Sequence, residues 1–314
     1  MSNNAHRAII ICGPTASGKT EFAHQIALKN HGEIVNADSM QLYKQLPIIT
    51  ASPAASLQKE LPYHLYNFQN VDKEFSAAKY VNAASKMVTQ ITERNKLPII
   101  VGGSGMYINM LVNGYSAIPN IEDDIRTEAR KLHTKIGADA FFQNLQILDP
   151  QITTILNIGD TQRIIRAYEV VVQTGQSILN FQAQDNIMPL PNFSFDIFCL
   201  LPERKFLYKT CNTRLIKLFD AGAIEEVKDL YKNYGDLQTS AMKALGVAEI
   251  ISYIKGNITR QDAIDLASTR TRQYAKRQIT WFKNQLPNTK IIKFNNLEEY
   301  KLLMTSFTLH SYTN

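Results

Sequence analysis

An α/β fold with a mainly parallel sheet flanked by helices, plus a helical insertion domain, is what this 314-residue sequence predicts. Three observations carry the expectation. The glycine-rich run Gly13 to Thr20 lies between an apolar run and a helical pattern, the opening of a P-loop core. Short apolar runs of strand length recur along the chain with helical stretches between them, as in a sheet covered on both faces. Between Pro119 and Pro191 those runs disappear and the sequence turns helical and acidic.

The elements follow in order. Arg7 to Cys12 reads as a buried strand, and Phe22, Ile26 and Ala27 mark the helix after the loop. Ile34 to Val35, Leu97 to Val101 and Phe195 to Leu201 are further strands, with a helix over Ala77 to Arg94. The block holding IEDDIRTEARKLHTKIG and TQRIIRAYEVVVQTG is the insertion. Helices near Arg204 to Asp220, Ile224 to Tyr231 and Asp262 to Asn284, then a last strand at Lys290 to Phe294, complete the core. The predicted division is therefore 1–118 for the first part of the core, 119–192 for the insertion, and 193–314 for core completion with basic C-terminal helices.

Composition narrows the function classes. With 45% hydrophobic and 20% charged residues the chain is no disordered or low-complexity sequence. The longest uncharged stretch, Pro98 to Ile121, is broken by glycines, asparagines and a second proline, which argues against a membrane span. The apolar run in MSNNAHRAIII is too short for a signal-peptide core, so the expected compartment is the cytosol. Cys12, Cys199 and Cys211 lack metal-like spacing and are expected to be buried free thiols. Net charge is +6, unevenly spread: 10 Lys/Arg face 7 Asp/Glu in residues 1–120, 6 face 10 in 121–200, and 18 face 11 in 201–314. A polyanionic partner would be drawn to the C-terminal third, although such an excess also occurs without one.

Gly13, Pro14, Thr15, Ala16, Ser17, Gly18, Lys19 and Thr20 fit G-x-x-x-x-G-K-[ST] in full. In such a loop backbone N–H groups cradle phosphate oxygens, Lys19 neutralises them, and the Thr20 hydroxyl can hold Mg²⁺. The loop specifies phosphate, and the diphosphate of ATP or of an isoprenoid would look alike to it. The next strand ends in Asn36-Ala37-Asp38-Ser39-Met40-Gln41, placing a carboxylate at the sheet edge where ligands of open α/β folds bind. Asp38 is then a Mg²⁺ ligand, a general base, or the N-cap of a helix. Ile99 to Val101 runs into Gly102-Gly103-Ser104-Gly105 without the terminal acid of a typical ATPase. Ser104 faces the same edge as Asp38, unless the glycines make a plain turn.

Two basic features stand apart. Arg163 and Arg166 lie three apart on one helix face in the acidic block, as phosphate contacts or as partners of Asp160 and Glu169. In Thr271 to Lys283, Arg272, Lys276 and Lys283 form a stripe while Ile279 and Phe282 can face the protein. Such a stripe suits a nucleic-acid backbone or is a solvated face.

GPTASGKT, NADSMQLY, PYHLYN, VGGSGMY, QRIIRAYEV and TRQYAKRQITWF, in that order across nearly the whole chain, resemble the tRNA dimethylallyltransferase family, also called tRNA isopentenyltransferases. The resemblance implies transfer of a dimethylallyl group from dimethylallyl diphosphate to N6 of the adenine adjacent to the anticodon of tRNA, releasing diphosphate. It implies that the P-loop holds the donor diphosphate, with Arg214 assisting, and that Asp38 accepts the N6 proton. It further implies a catalytic Ser104, where the family usually has threonine, and Mg²⁺ as cofactor. The tRNA contacts it implies are Asp38, Ser39, Met40, Gln41, Ser104, Arg126, Gln162, Arg163, Ile164, Ile165, Arg166, and the stretch Lys276, Arg277, Gln278, Ile279, Thr280, Trp281, Phe282 and Lys283. Asn67 stands where aspartate is common, and Ala244 to Glu249 departs from the usual A-I-G-Y-K-E. A monomer acting without a membrane is expected.

The main rival reading is a P-loop kinase acting on a nucleoside or other small hydroxyl substrate, which explains the loop but not the basic helix. Prenyl transfer to a free adenine nucleotide leaves the insertion and TRQYAKRQITWF unexplained. A non-catalytic RNA-binding protein sits poorly with intact Lys19, Thr20 and Asp38.

Overall fold

The structure, a computed structural model, describes residues 5–73, 75–235, 237, 239–286 and 288–309. The polar lead before Ala5 lies outside them. Six strands, β1 (His6–Cys12), β2 (Gly32–Asn36), β3 (Tyr63–His64), β4 (Leu97–Gly102), β5 (Phe193–Pro202) and β6 (Lys290–Phe294), form one parallel sheet in the order β3-β2-β4-β1-β5-β6. Ile9, Ile10, Ile11, Ile34, Val35, Ile99 and Ile100 are all fully buried. Both faces of the central strands are covered, which is why they read as continuous apolar runs.

The helices are α1 (Lys19–Lys29), α2 (Ala55–Glu60), α3 (Ala77–Glu93), α4 (Gly105–Asn113), α5 (Asp123–Leu148), α6 (Pro150–Thr153), α7 (Thr161–Thr174), α8 (Ile178–Gln182), α9 (Arg204–Leu218), α10 (Ile224–Tyr234), α11 (Val247–Ile254), α12 (Arg260–Gln285) and α13 (Leu297–Ser306). The strands and long helices expected from periodicity are present within a few residues of their expected ends. Five elements outside the insertion went unpredicted, the short helices α2 and α11 among them. β3 has two residues and exists through its pairing with β2, α4 follows directly on the glycines of VGGSG, and α13 closes the chain. Among the described residues no helix is long and apolar enough to cross a membrane. All three cysteines are buried and free.

Contacts divide the chain into two compact units, one of residues 1–112 and 189–314 and the other of residues 113–188. In the larger unit, one cluster packs Phe22, Ile26, Ile99, Phe198, Ile292 and Tyr300 between sheet and helices. A second joins Tyr43, Leu46 and Ile49 of the segment after β2 to Leu215, Phe219, Val247, Ile250 and Ile264. The smaller unit has its own core of Phe141, Leu145, Ile152, Ile164, Val170 and Ile178 on α5 to α8. Its long helix α5 is interrupted at Gly137, whose φ of 81° and ψ of 170° no helix contains.

Candidate active site

Parallel register brings three loops to one edge. Cys12 pairs with Gly102 on one side and Cys199 on the other, and Asn36 pairs with Val101, so the loops after β1, β2 and β4 leave the sheet side by side. This carboxyl edge is where open α/β sheets bind ligands.

After β1 the P-loop is held by close backbone packing. A side chain on Gly13 would meet the Leu200 carbonyl at 2.6 Å. Gly18 has a φ of +83° and lies under the Tyr300 ring, whose hydroxyl donates to the Gly18 carbonyl at 2.8 Å. Tyr300 of α13 was missed because nothing local in the sequence ties that helix to the loop. Lys19 is buried at the start of α1 with its Nζ 3.4 Å from the Pro14 carbonyl. Burial pushes the Lys19 pKa down to about 8; Asp38 pulls it up, and Arg214 pushes it further down. Burial also lowers the Arg214 pKa against the opposing pull of Asp38. Lys19, Arg214 and Asp38 thus form one electrostatic group, two cations facing an anion, drawn from α1, α9 and the segment after β2.

Asp38 does not cap a helix. Its Oδ1 accepts the Met40 N–H at 3.0 Å in a short turn, while Asn36 braces it: the Asp38 N–H donates to Asn36 Oδ1 at 2.8 Å and the Asn36 amide donates to the Asp38 carbonyl at 3.0 Å. Ser104 Oγ accepts the Ser39 N–H at 2.9 Å and donates to Ser39 Oγ at 3.2 Å. The Gln41 amide is spent inside its loop on the Thr50 and Ala51 carbonyls, both at 3.0 Å. Glu226 fixes the same loop by accepting the Ile48 and Ile49 N–H groups at 2.7 Å. Tyr66, Tyr107 and Tyr274 all feel the Asp38 charge, and burial raises their pKa values, that of Tyr274 to about 12. Tyr107 stacks on Tyr80 at 3.9 Å, so Asp38 has aromatic neighbours. Their presence in PYHLYN, VGGSGMY and TRQYAKRQITWF was the available signal for them.

The glycines after β4 serve packing. Side chains on Gly102, Gly103 and Gly105 would collide with the Ala37 carbonyl, the Gln278 amide and the Trp281 ring. Gln278, expected at the tRNA surface, is buried: its Nε2 donates to the Gly103 carbonyl and its Oε1 accepts the Thr15 N–H, both at 2.8 Å. Phe282 is also buried and Ile279 packs beside Leu207, Cys211 and Ala275. Lys276, Arg277, Thr280 and Lys283 are exposed, and Gln273, Lys276, Arg277, Thr280 and Trp281 line a concavity of about 490 Å³. Arg272 instead donates to Asn212 at 2.7 Å and Thr269 at 2.9 Å.

In the smaller unit Arg163 is exposed, 3.7 Å from Asp160, and Arg166 lies 3.3 Å from the buried Glu169. Both local pairs weighed from the spacing are therefore made. Gln162 is exposed, Ile164 is buried, and Ile165 is partly covered. Arg126 reaches Asn120 Oδ1 at 3.4 Å. The two departures have local explanations. Asn67 has a φ of 47°, a left-handed value that asparagine tolerates, and accepts from Ser52 at 3.0 Å. Ala244 and Val247 are buried and a side chain on Gly246 would meet Ile49 at 2.9 Å, so this segment packs.

Mg²⁺ is compatible with the groups present. Among the described residues Ser17 Oγ is buried without a hydrogen-bond partner, Thr20 lies in the first turn of α1, and the Asp38 charge acts on Lys19 of the loop. These are hard oxygen donors, few in number, as suits an ion that keeps its waters and binds mainly to a substrate's phosphates.

A family model described as IPP transferase matches residues 41–285. Proteins named tRNA dimethylallyltransferase are similar over almost the whole chain. That of Rickettsia massiliae is 49% identical over 299 residues, 95% of this chain and 82% of its own, and that of Rickettsia rickettsii is 48% identical over 307 residues, 98% and 85%. Among solved structures, the full-length tRNA isopentenylpyrophosphate transferase of Bacillus halodurans is 29% identical with a TM-score of 0.69, covering 96% of this chain and 94% of that one. A eukaryotic dimethylallyltransferase acting on tRNA is 26% identical with a TM-score of 0.79, covering 95% and 76%. With that family model spanning most of the sequence and relatives at this identity over nearly its full length, the chain belongs to the IPP transferase family.

Proposed function

We propose that this enzyme transfers the dimethylallyl group of dimethylallyl diphosphate to the exocyclic N6 of the adenine adjacent to the anticodon in tRNA, acting as a monomer in the cytosol. The observation that carries the reading is an intact phosphate loop whose buried Lys19 interacts electrostatically with Asp38 and Arg214, in a chain of this family. An amine on an aromatic ring is a poor nucleophile, so displacement at the allylic carbon needs both a stabilised leaving group and removal of the amine proton. As the N6–C bond forms, the C–O bond to the diphosphate breaks and its electron pair leaves with the diphosphate, which Lys19, Arg214 and loop amides stabilise. The proton passes from N6 to the Asp38 carboxylate, which the Met40 N–H orients while Asn36 fixes the Asp38 backbone. The Thr20 hydroxyl would help hold a Mg²⁺ ion, which when bound would supply further charge neutralisation to the leaving diphosphate.

Ser104, by its bonds to Ser39, holds the segment that carries Asp38. The adenine must leave its stack to reach the sheet edge, at a cost of a few kcal/mol, offset by phosphate contacts. The exposed Lys276, Arg277, Thr280 and Lys283 of α12 are proposed tRNA contacts of the larger unit, and the Arg126 and Gln162 to Arg166 segments are proposed contacts of the smaller one. Incubation with radiolabelled dimethylallyl diphosphate and tRNA, in parallel with γ-labelled ATP and nucleosides, tests the reading. Prenyl label is expected in tRNA. Phosphoryl transfer from ATP to a small acceptor with no prenyl label in tRNA would replace it with the kinase.

A further inference from the structure

α12 has two faces that do different work. Lys276, Arg277 and Lys283 are exposed, whereas Ala275, Gln278 and Phe282, on the opposite side of the same turns, are buried. Gln278 is the polar member of the buried set, and it spans two loops of the candidate active site. Its amide bonds the Thr15 N–H of the P-loop and the Gly103 carbonyl of the loop that carries Ser104, each at 2.8 Å. An N–H can only donate and a carbonyl only accept, so these partners fix which end of the amide faces which loop. One turn further along α12, Trp281 packs against the second loop, since Gly105 has no room for a side chain beneath its ring. Asparagine is shorter, ionised glutamate lacks the donor, and methionine has the length but neither group.

We propose that Gln278 is a positioning residue that couples tRNA docking on the exposed face of α12 to donor binding at the P-loop. The inference rests on the function proposed above. A shift or rotation of α12 on binding RNA moves the Gln278 amide, and with it the Thr15 N–H and Gly103 carbonyl at the two sides of the donor site. Conversely, a P-loop ordered around a diphosphate holds α12 in one position. Energetic coupling between two sites is reciprocal, so each ligand must raise the other's affinity by the same factor, typically about 5- to 150-fold.

Equilibrium titrations of the full chain decide it. The affinity of dimethylallyl thiolodiphosphate, an unreactive donor analogue, is measured with Mg²⁺ in the presence and absence of a synthetic anticodon stem-loop RNA, and the RNA affinity with and without the analogue. In the wild type each ligand is expected to tighten the other at least about fivefold. In Gln278→Met the factor falls to within twofold of unity while RNA affinity without the analogue shifts less than twofold, a pattern that simple loss of folded protein cannot produce. Gln278→Glu keeps the acceptor for Thr15 and sets an oxygen against the Gly103 carbonyl; it is expected to retain folding and to lose at least threefold of the coupling, and it stands in if Gln278→Met does not fold. Independent binding in the wild type, or wild-type coupling in these variants, overturns the proposal while leaving the prenyl-transfer reading intact. Failure of the wild type to bind either RNA or analogue overturns both.

Discussion

Asp38 sits in a turn that depends on its own side chain, so Asp38→Ala confounds loss of a base with loss of the Met40 contact. Asp38→Asn retains an Oδ1 acceptor for that N–H and cannot take a proton. Single-turnover transfer is expected to slow at least about 100-fold, with tRNA affinity within about tenfold of wild type, because a general base acts in the transition state more than in binding. A rate within tenfold of wild type would remove Asp38 as the base, and loss of donor affinity would make it a metal ligand. Lys19 sets a pH dependence. With its pKa pushed down to about 8 by burial, the empty site holds a protonated lysine below that pH and a neutral one above it. A diphosphate binds the protonated form, so donor-analogue affinity is expected to be level up to about pH 8 and to fall by up to about tenfold per unit above it, whereas Lys19→Arg stays level. An identical decline in both proteins would exclude Lys19 as the cause. The stability of the empty protein carries the opposite slope, since a lysine whose folded pKa is lowered favours the fold increasingly as pH rises from about 8 toward its unfolded value of about 10.4.

At the scale of the element, α12 turns a single periodicity into three jobs. Thr259 and Asp262 close its N-terminus with a reciprocal capping box, its buried stripe joins the packing beside α9 and the P-loop, and its exposed stripe carries the cations. The sequence stripe of Arg272, Lys276 and Lys283 is unequal in the fold, because Arg272 is committed to Asn212 and Thr269. Replacing Lys276 and Lys283 together by alanine is expected to flatten the salt dependence of tRNA affinity by up to about two units of slope. Arg272→Ala is expected to lower thermal stability and leave that slope nearly unchanged. Affinity titrations across salt concentrations, with melting curves on the same samples, separate these effects. An unchanged slope in the double variant would return this face of α12 to a solvated surface.

At the scale of the whole molecule the chain is two units with separate cores, and the two arginines of α7 belong to the smaller one. They are not equivalent. Arg163 is exposed beside a partner 3.7 Å away, while Arg166 neutralises Glu169, which is 5% exposed. Arg163→Ala should weaken tRNA binding with little change in melting temperature, since exposed pairs contribute about 1 kcal/mol or less. Arg166→Ala should cost about 1–3 kcal/mol by leaving a buried carboxylate without its cation. Denaturant unfolding and RNA titration of each variant test the distinction, and unchanged tRNA affinity in Arg163→Ala would take α7 out of the contact surface.

The sheet, the P-loop and the long helices were legible in the sequence because each is encoded by short-range signals: apolar runs such as Ala8 to Cys12, the glycine and lysine spacing of Gly13 to Thr20, and the helical period of α3, α7 and α12. Asp38 was legible for the same reason, as a carboxylate at the end of a strand. β3 was not, since two residues carry no period and its existence depends on β2. Nor was the work of the glycines in VGGSG, which turn out to make room for Ala37, Gln278 and Trp281. Which face of a basic helix is exposed and which glutamine turns inward depends on contacts between residues far apart in sequence, Thr15 with Gln278 and Gly18 with Tyr300. The sequence by itself determined the elements and the chemistry at the ends of the strands; only the tertiary structure decided that Gln278 and Tyr300 close over the phosphate loop, because burial and hydrogen-bond pairing are properties of the assembled chain.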